Sequence, residues 1–546
     1  MNASRGKTPT TWLAALLLLA LALRTTGIGH PFYSNDPAEI ALYSTVYYPS
    51  SPGGLMKAFG FYHGAGELLF GFAILWVYGL LGLHVTEFMW NLPYAIIGTL
   101  TVLTSYYLVL LFTRRKSTAL TAALFIALYP LHVGVSRGSG YGHHTIPLFL
   151  QTLAIISAHY YYSRPNGRRA LLLSTILALE ILFDLIFPFI LPLVLYVGMM
   201  TSKEKNLIQQ SAASLRKLLM PEFILPSLVL LVKVYFLLNA TGSMVYVLAR
   251  PDVMLGFYPL HFIINLSYYL NPIVLAACLA SLAHNVKNLS RDGARLFPAW
   301  AVIYSTPLIF MFGRCVTMHA LSPTVPLLIA LAVAVNDEGI LSKKNRILAV
   351  SILSALLLAG TLASVYRVPG IPLQDSLGKI YCSSTVTSTC RLNVCTSVYA
   401  GRVYGDEGYK AAGYWLRENT PRNAIVFSDT YGLVMGKRKN VKYYTQRRLE
   451  GLNVGSRKSM LRIYGSNKSS YDALLIRPRN VGLFKGLGRF HKTLAITSGG
   501  KTVLFIYTRE KHYSNTLPVN ARFYNALFDR KYATPEQLAR YPEVPD

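Results

Sequence analysis

Long apolar segments recur through the first two thirds of this chain, and they constrain it more than any motif does. Stretches such as 88–112, 145–163 and 347–365 carry almost no charge and run close to the length that crosses a bilayer. Bilayer hydrocarbon offers a backbone no hydrogen-bonding partner, so such segments must be helices. The pattern predicts about eleven spans, near 11–28, 88–112, 118–134, 145–163, 169–184, 185–200, 222–239, 262–284, 297–314, 319–335 and 347–365. Composition agrees: 14% of the residues are charged, against roughly 25% in a soluble globular chain. Arg5 and Lys7 precede the first segment, as in a signal peptide, but no clear small-residue cleavage site follows and many further segments do. It is expected to stay as an uncleaved first helix.

The net charge of +29 would suggest nucleic acid, but the position of the charge gives another reason. Arg114 to Lys116, Arg164 with Arg168 and Arg169, Lys203 to Lys217, and Lys343 to Arg346 all fall in short connections between apolar segments. Cytoplasmic loops of membrane proteins carry such an excess. With the N-terminus in the cytoplasm, every one of these clusters is inside. Loops 29–87, 134–144 and 240–261 and the whole C-terminal part are then outside. No nucleic-acid partner is expected. Contact with membrane lipids is, and Lys437 to Lys439 with Arg447 and Arg448 can meet anionic headgroups or phosphate substrates.

Segment 68–83 is apolar but short. Counted as a span, it would put Arg114 to Lys116 on the wrong side. It is therefore expected to lie in the outer interface, within loop 29–87. Segments 169–184 and 185–200 meet around Asp184 and Pro188, which places Asp184 at the outer boundary.

The chain divides near residue 370 into a membrane domain, 1–370, and an extracytoplasmic domain, 371–546. In the second, 408–421 reads as an amphipathic helix ended by Pro421. Segments 424–428, 471–477 and 502–507 read as strands of a small α/β domain. Cys382, Cys390 and Cys395 lie at its entrance. Outside the cytoplasm two of the three can pair as a disulfide, free thiols are the alternative, and zinc would need a fourth ligand.

Two outer loops hold the candidate chemistry. Asp36 and Glu39 follow the first span. Asp36 before Pro37, with Glu39 three positions on, has the form of a capped helix start, which is a structural role sufficient in itself. The functional reading makes one of them a general base, shielded at the bilayer surface so that its affinity for a proton rises. The second stretch is Ser136 to Thr145. Its three glycines permit close backbone approach, Arg137 can fork two donors onto a phosphate, and His143 and His144 can donate, accept or ligate. A glycine-rich turn with exposed histidines is the plainer alternative. A divalent cation held by Asp36, Glu39 and His143 is a further one, and no cofactor is required by the sequence. His63, Glu67, Arg250, His261 and Arg314 are secondary candidates for contact with substrate or acceptor. No Walker, dinucleotide-binding or HExxH motif is present. No internal repeat of the kind secondary transporters show is evident either.

Four features together resemble the polyprenyl-phosphate-dependent glycosyltransferases of the GT-C fold, in the branch of protein O-mannosyltransferases and aminoarabinose transferases. They are the helix start Asp36 to Tyr43, the interfacial segment before Leu92 and Pro93, the Ser136–Arg137 pair, and the tail from Ala411 to Pro421 followed by 424–427. The acid that often follows the Ser-Arg pair in that family is absent, and His143 and His144 occupy its neighbourhood. The resemblance implies a polytopic α-helical membrane enzyme that moves a sugar from a polyprenyl-phosphate or -pyrophosphate donor to a protein or glycolipid acceptor, with inversion. Asp36 would be the base, and Arg137 with His143 would stabilise the departing phosphate. A non-enzymatic component of glycan or lipid export and a secondary transporter are the alternatives. The sequence sets no oligomeric state.

Overall fold

The fold is seen in a computed structural model of the chain. The structure describes residues 8–26, 28, 44, 65–83, 87–137, 142–183, 189–202, 204, 206–239, 262–263, 266–267, 270–287, 295–311, 321–365, 426–428, 442–443, 471–476, 478–483, 487, 490–498 and 501–509.

The first part is a bundle of helices: α1 (Thr8–Thr25), α2 (Ala65–Leu80), α3 (Glu87–Thr113), α4 (Lys116–Leu128), α5 (Pro130–Val135), α6 (Gly142–Ser163), α7 (Gly167–Phe183), α8 (Ile190–Thr201), α9 (Leu207–Leu218), α10 (Ile224–Asn239), α11 (Pro272–Lys287), α12 (Leu296–Met311), α13 (Leu321–Val335) and α14 (Lys343–Ser364). Every segment expected to span holds one of these helices, with bounds shifted by some residues. By length and composition, two helices among the described residues can cross a membrane unaided, Phe88–Thr113 and Lys343–Leu362; a third is added if the bent pair α9 and α10 counts as one span. Seven others among the described residues are shorter apolar helices.

One expected segment, 118–134, is two helices. Tyr129 separates α4 from α5 with φ −67° and ψ 118°. It precedes Pro130, whose ring pushes the preceding residue into the extended region, so the helix cannot run through. Past the break, α5 packs against α14, α6 and α1 and carries Ser136 and Arg137 at its end.

α13 is apolar all round and is buried along nearly its whole length, as a central helix must be. It packs against α4, α11 and α12. α4 contributes Ala119, Ala122, Ala123 and Ala127, small residues that let neighbouring backbones come close. Hydrogen bonds cross between helices where water is excluded: Asn336 Nδ2 donates to Thr121 Oγ1 at 3.1 Å, Asn285 Nδ2 to the Ala330 carbonyl at 3.0 Å, and Thr361 Oγ1 to the Leu128 carbonyl at 2.6 Å.

These contacts fix two ends. At one end lie the turn Arg114–Arg115, the turn 164–166, Lys217 and the start of α14. There Tyr161 OH donates to the Lys217 carbonyl at 2.6 Å, and Arg169 Nη1 to the carbonyls of Tyr160 and Arg164 at 3.1 and 2.9 Å. At the other end lie the C-terminus of α1, the N-terminus of α3, α5 and the C-terminus of α14. The basic connections thus share one end, as the charge pattern predicts.

The C-terminal part contains a five-stranded sheet of order β2-β1-β3-β5-β4, built from β1 (Val426–Ser428), β2 (Lys442–Tyr443), β3 (Ala473–Ile476), β4 (His491–Ser498) and β5 (Lys501–Thr508). β1 is parallel to β2 and β3, while β3, β5 and β4 are antiparallel. β1, β3 and β5 correspond to the three expected strands; β2 and β4 are additional. Phe427, Tyr471, Leu474, Ile476, Phe490 and Tyr507 form its core. The expected helix 408–421, the boundary at 370 and the three clustered cysteines lie outside the described residues.

Candidate functional site

The end of the bundle away from the basic connections carries an unusual density of buried polar side chains. Arg24, Glu67 and His132 are fully buried, and Asn91, Ser136 and Arg137 nearly so. A charge withdrawn from water is costly unless its donors are satisfied. Arg24 shows how this is done. It stands in the last turn of α1, where a cation also complements the helix dipole. Its Nη1 donates to the Ala20 carbonyl and its Nη2 to His132 Nδ1, each at 2.8 Å. Nδ1 also lies 3.2 Å from the Ile126 carbonyl, so it sits between a guanidinium and a backbone carbonyl.

His132 belongs to α5, and α5 delivers Arg137. Ser136 Oγ donates to the His132 carbonyl at 2.6 Å and closes the turn. Arg137 then folds back, and its Nη1 donates to the Leu23 carbonyl at 3.0 Å. Two arginines from distant sequence therefore lie on opposite sides of one α1–α5 contact. Gly98 of α3 makes room for it: a Cβ there would fall 2.4 Å from Ser136 Cβ and 3.0 Å from Arg24 Nε.

The same end anchors both flanks of the segment that carries Asp36. On one side, Asn91 Nδ2 of α3 donates to the Ile28 carbonyl at 3.1 Å. On the other, Ser44 is fully buried against α2 and α3, where a Cβ on Gly71 would lie 2.2 Å from its Oγ and 2.9 Å from the Trp90 ring. Asp36 is eight residues from each anchor in sequence.

α2 brings Glu67. Its N-terminal half is buried and its far end, with Trp76 and Leu80, is exposed, which is the layout expected of a helix lying along the bundle end. A Cβ on Gly66 would lie 2.6 Å from the Phe183 ring, so α2 sits against the last residue of α7. Phe70 makes edge contacts with Tyr94 and Phe183, at ring-centroid distances of 5.1 and 6.4 Å. Glu67 interacts electrostatically with the buried Tyr94.

Of the predicted site residues, Arg137, His144 and Glu67 are all buried, and Arg137 and Glu67 lie at this end. His144 is in the first turn of α6. His143 is in the same turn, and its side chain lies outside the described residues. Asp36, Glu39, His63, Arg250, His261 and Arg314 also lie outside them. Among the described residues no three His, Cys, Asp or Glu side chains group to hold a metal ion. Arg24 and His132 were missed by sequence reading. The signal was present: an arginine one residue past an unbroken apolar run, at membrane depth, is expensive enough to demand a reason.

Known structures share this architecture. ArnT from Cupriavidus metallidurans, in the apo state, superposes with a TM-score of 0.57 at 12% identity, over 92% of this chain and 98% of that one. The fold is the GT-C fold. The Archaeoglobus fulgidus oligosaccharyltransferase in its apo form superposes at 0.50, with 14% identity over 86% of this chain and 70% of its own. The same protein, AglB, in complex with an inhibitory peptide and a dolichol-phosphate gives 0.51, at 14% identity over 87% and 70%. No family model matches the sequence, and neither does any curated protein.

Proposed function

We propose that this chain is a membrane glycosyltransferase that takes a sugar from a polyprenyl-phosphate or -pyrophosphate and gives it to a protein or glycolipid hydroxyl. The observation that carries the reading is the meeting at one end of the bundle of buried Arg137 with both anchors of the Asp36 segment. The fold adds support: ArnT matches along nearly its whole length, and AglB has been seen with a dolichol-phosphate.

In this reading Asp36, or Glu39 beside it, removes the proton from the acceptor hydroxyl. The oxygen forms a bond to the anomeric carbon while the bond from that carbon to the phosphate oxygen breaks, and the configuration inverts. The electron pair leaves with the lipid phosphate, and Arg137 stabilises the charge there. His143 and His144 supply further donors, and His63, Glu67, Arg250, His261 and Arg314 are candidates for acceptor contact. A bound divalent cation would add Lewis-acid stabilisation; Asp36, Glu39 and His143 would have to hold it, since the described groups beside Arg137 are chiefly donors. Helices α1 and α3 to α14 form the membrane domain, with about eleven crossings. The N-terminus is cytoplasmic, and the C-terminal domain covers the outer face. The polyprenyl tail stays in the bilayer while the acceptor arrives from water.

The test is turnover of lipid-linked sugar by purified protein in detergent. Asp36→Asn should abolish transfer while the protein still inserts and folds. Near-normal transfer would remove Asp36 from the chemistry. Covalent product from the parent protein separates this reading from a transporter or an export component, neither of which forms one.

A further inference from the structure

At the basic end, helix α9 has a surface that the bundle does not use. Its twelve residues, Leu207–Leu218, divide into three sectors. Ser214 is buried and, with Ser211 and Lys217, faces α8 and α6: a Cβ on Gly198 would lie 2.8 Å from Ser214 Oγ, Tyr162 OH donates to the Ser214 carbonyl at 3.3 Å, and Lys217 Nζ to the Tyr162 carbonyl at 3.3 Å. The adjoining sector is apolar and open. Ile208 and Leu215, with Leu219 just past the helix end, are 76%, 51% and 76% exposed. The last sector, with Gln209 and Arg216, is polar and exposed.

The helix is also held across the bundle. It meets the following helical segment, Pro221–Tyr235, at 74°. That bend is fixed at its base, where Ser174 Oγ donates to the Glu222 carbonyl and Phe223 is buried against Tyr161. Beyond the bend, α10 exposes Leu225, Leu228 and Leu231, so the apolar sector of α9 adjoins a long apolar flank. The turn with Arg164, Arg168 and Arg169 is tied to the same corner, since Arg169 bonds the Tyr160 carbonyl and Tyr161 that of Lys217; Arg216 is on the helix itself, Lys203 and Lys205 precede it in sequence, and Glu204 and Glu222 are the acids of this region.

We propose that α9 is a membrane-surface helix, laying Ile208, Leu215 and Leu219 among the acyl chains of an anionic leaflet while Arg216 and the neighbouring basic turns hold its phosphate headgroups. An amphipathic helix between bundle and water, with an apolar face at the level of the bend, satisfies both faces only at a lipid interface. The surrounding positive charge selects anionic lipid. The inference rests on the membrane placement of the helices, and Leu231 on α10 serves as the control for that placement.

Single spin labels at Ile208→Cys, Leu215→Cys, Gln209→Cys, Arg216→Cys and Leu231→Cys, each in full-length protein lacking its five native cysteines, test it in nanodiscs. Collision with oxygen reports lipid, and collision with a water-soluble nickel chelate reports water. Labels at 208, 215 and 231 should favour oxygen, and those at 209 and 216 the chelate. Exchanging neutral phosphatidylcholine for phosphatidylglycerol should raise the oxygen preference at 208 by about twofold or more, and Arg216→Ala should reduce the increase. Chelate access at 208 and 215 with oxygen preference at 231 would overturn the surface helix alone. Chelate access at 231 would overturn the membrane placement. Exclusion of both probes at 208 and 215 would assign the face to a protein, against the proposal. No response to phosphatidylglycerol would overturn its anionic part. Should the cysteine-free protein fail to fold, a photo-crosslinking side chain at position 208 gives the same decision: lipid adducts support the proposal and protein adducts overturn it.

Discussion

The two ends of the helical bundle use arginine in opposite ways. At the basic end Arg164 and Arg168 are exposed and Arg169 is half-buried, its Nη1 bonding the carbonyls of Tyr160 and Arg164 at the turn between two consecutive helices. At the other end Arg24 and Arg137 are buried, and each reaches a different element, α5 and α1 respectively. The solvent-accessible arginines cost little to keep, and in the proposed topology they mark the cytoplasmic side. The buried ones carry a desolvation cost that marking a side would not require.

The comparison breaks if the chemistry lies elsewhere, and the largest effect tests that first. Asp36→Asn should lower transfer by about 10²–10⁴-fold, the range a general base supplies. Arg137→Ala should lower turnover by about 10²–10³-fold, and Arg137→Lys should recover only part, because an ammonium cannot reproduce the planar fork. A donor titration separates this from acceptor effects: apparent donor affinity should fall and acceptor affinity hold.

Smaller effects sharpen the contrast between the ends. Arg24→Ala removes the buried hydrogen bond that ties α1 to α5 through His132, so thermal unfolding should show a loss of about 1–3 kcal/mol. Arg169→Ala should change stability by about 0.5 kcal/mol or less and leave turnover unchanged. Equal losses from Arg24→Ala and Arg169→Ala would erase the distinction. Gly98→Ala should lower turnover more than stability, because its Cβ would press on the turn that presents Arg137. Equal turnover in that variant would show that the turn has room to give.

Much of this was legible in the sequence. Apolar length placed a helix at every expected segment, because burial in hydrocarbon leaves a chain few other options. The short segment before Leu92 and Pro93 was read as interfacial from its shortness and the charge bias, and α2 packs by its N-terminal half against the bundle end with its far end exposed. Three of five strands showed as apolar runs. β4, His491–Ser498, did not, since only part of its residues are apolar and its pairing with β5 includes register shifts. The break at Tyr129 was a missed local signal, a proline inside an apolar run. The pairing of Arg24 with His132 stayed hidden for another reason. Their partnership joins residues 108 apart, and no spacing rule brings an arginine on one helix to a histidine on another.

The most direct measurement is binding of a polyprenyl-phosphate, with no sugar attached, to purified protein in detergent. The account predicts saturable binding to the parent protein, affinity lower by about tenfold or more in Arg137→Ala, and unchanged affinity in Arg169→Ala. Equal affinity in all three proteins would contradict it.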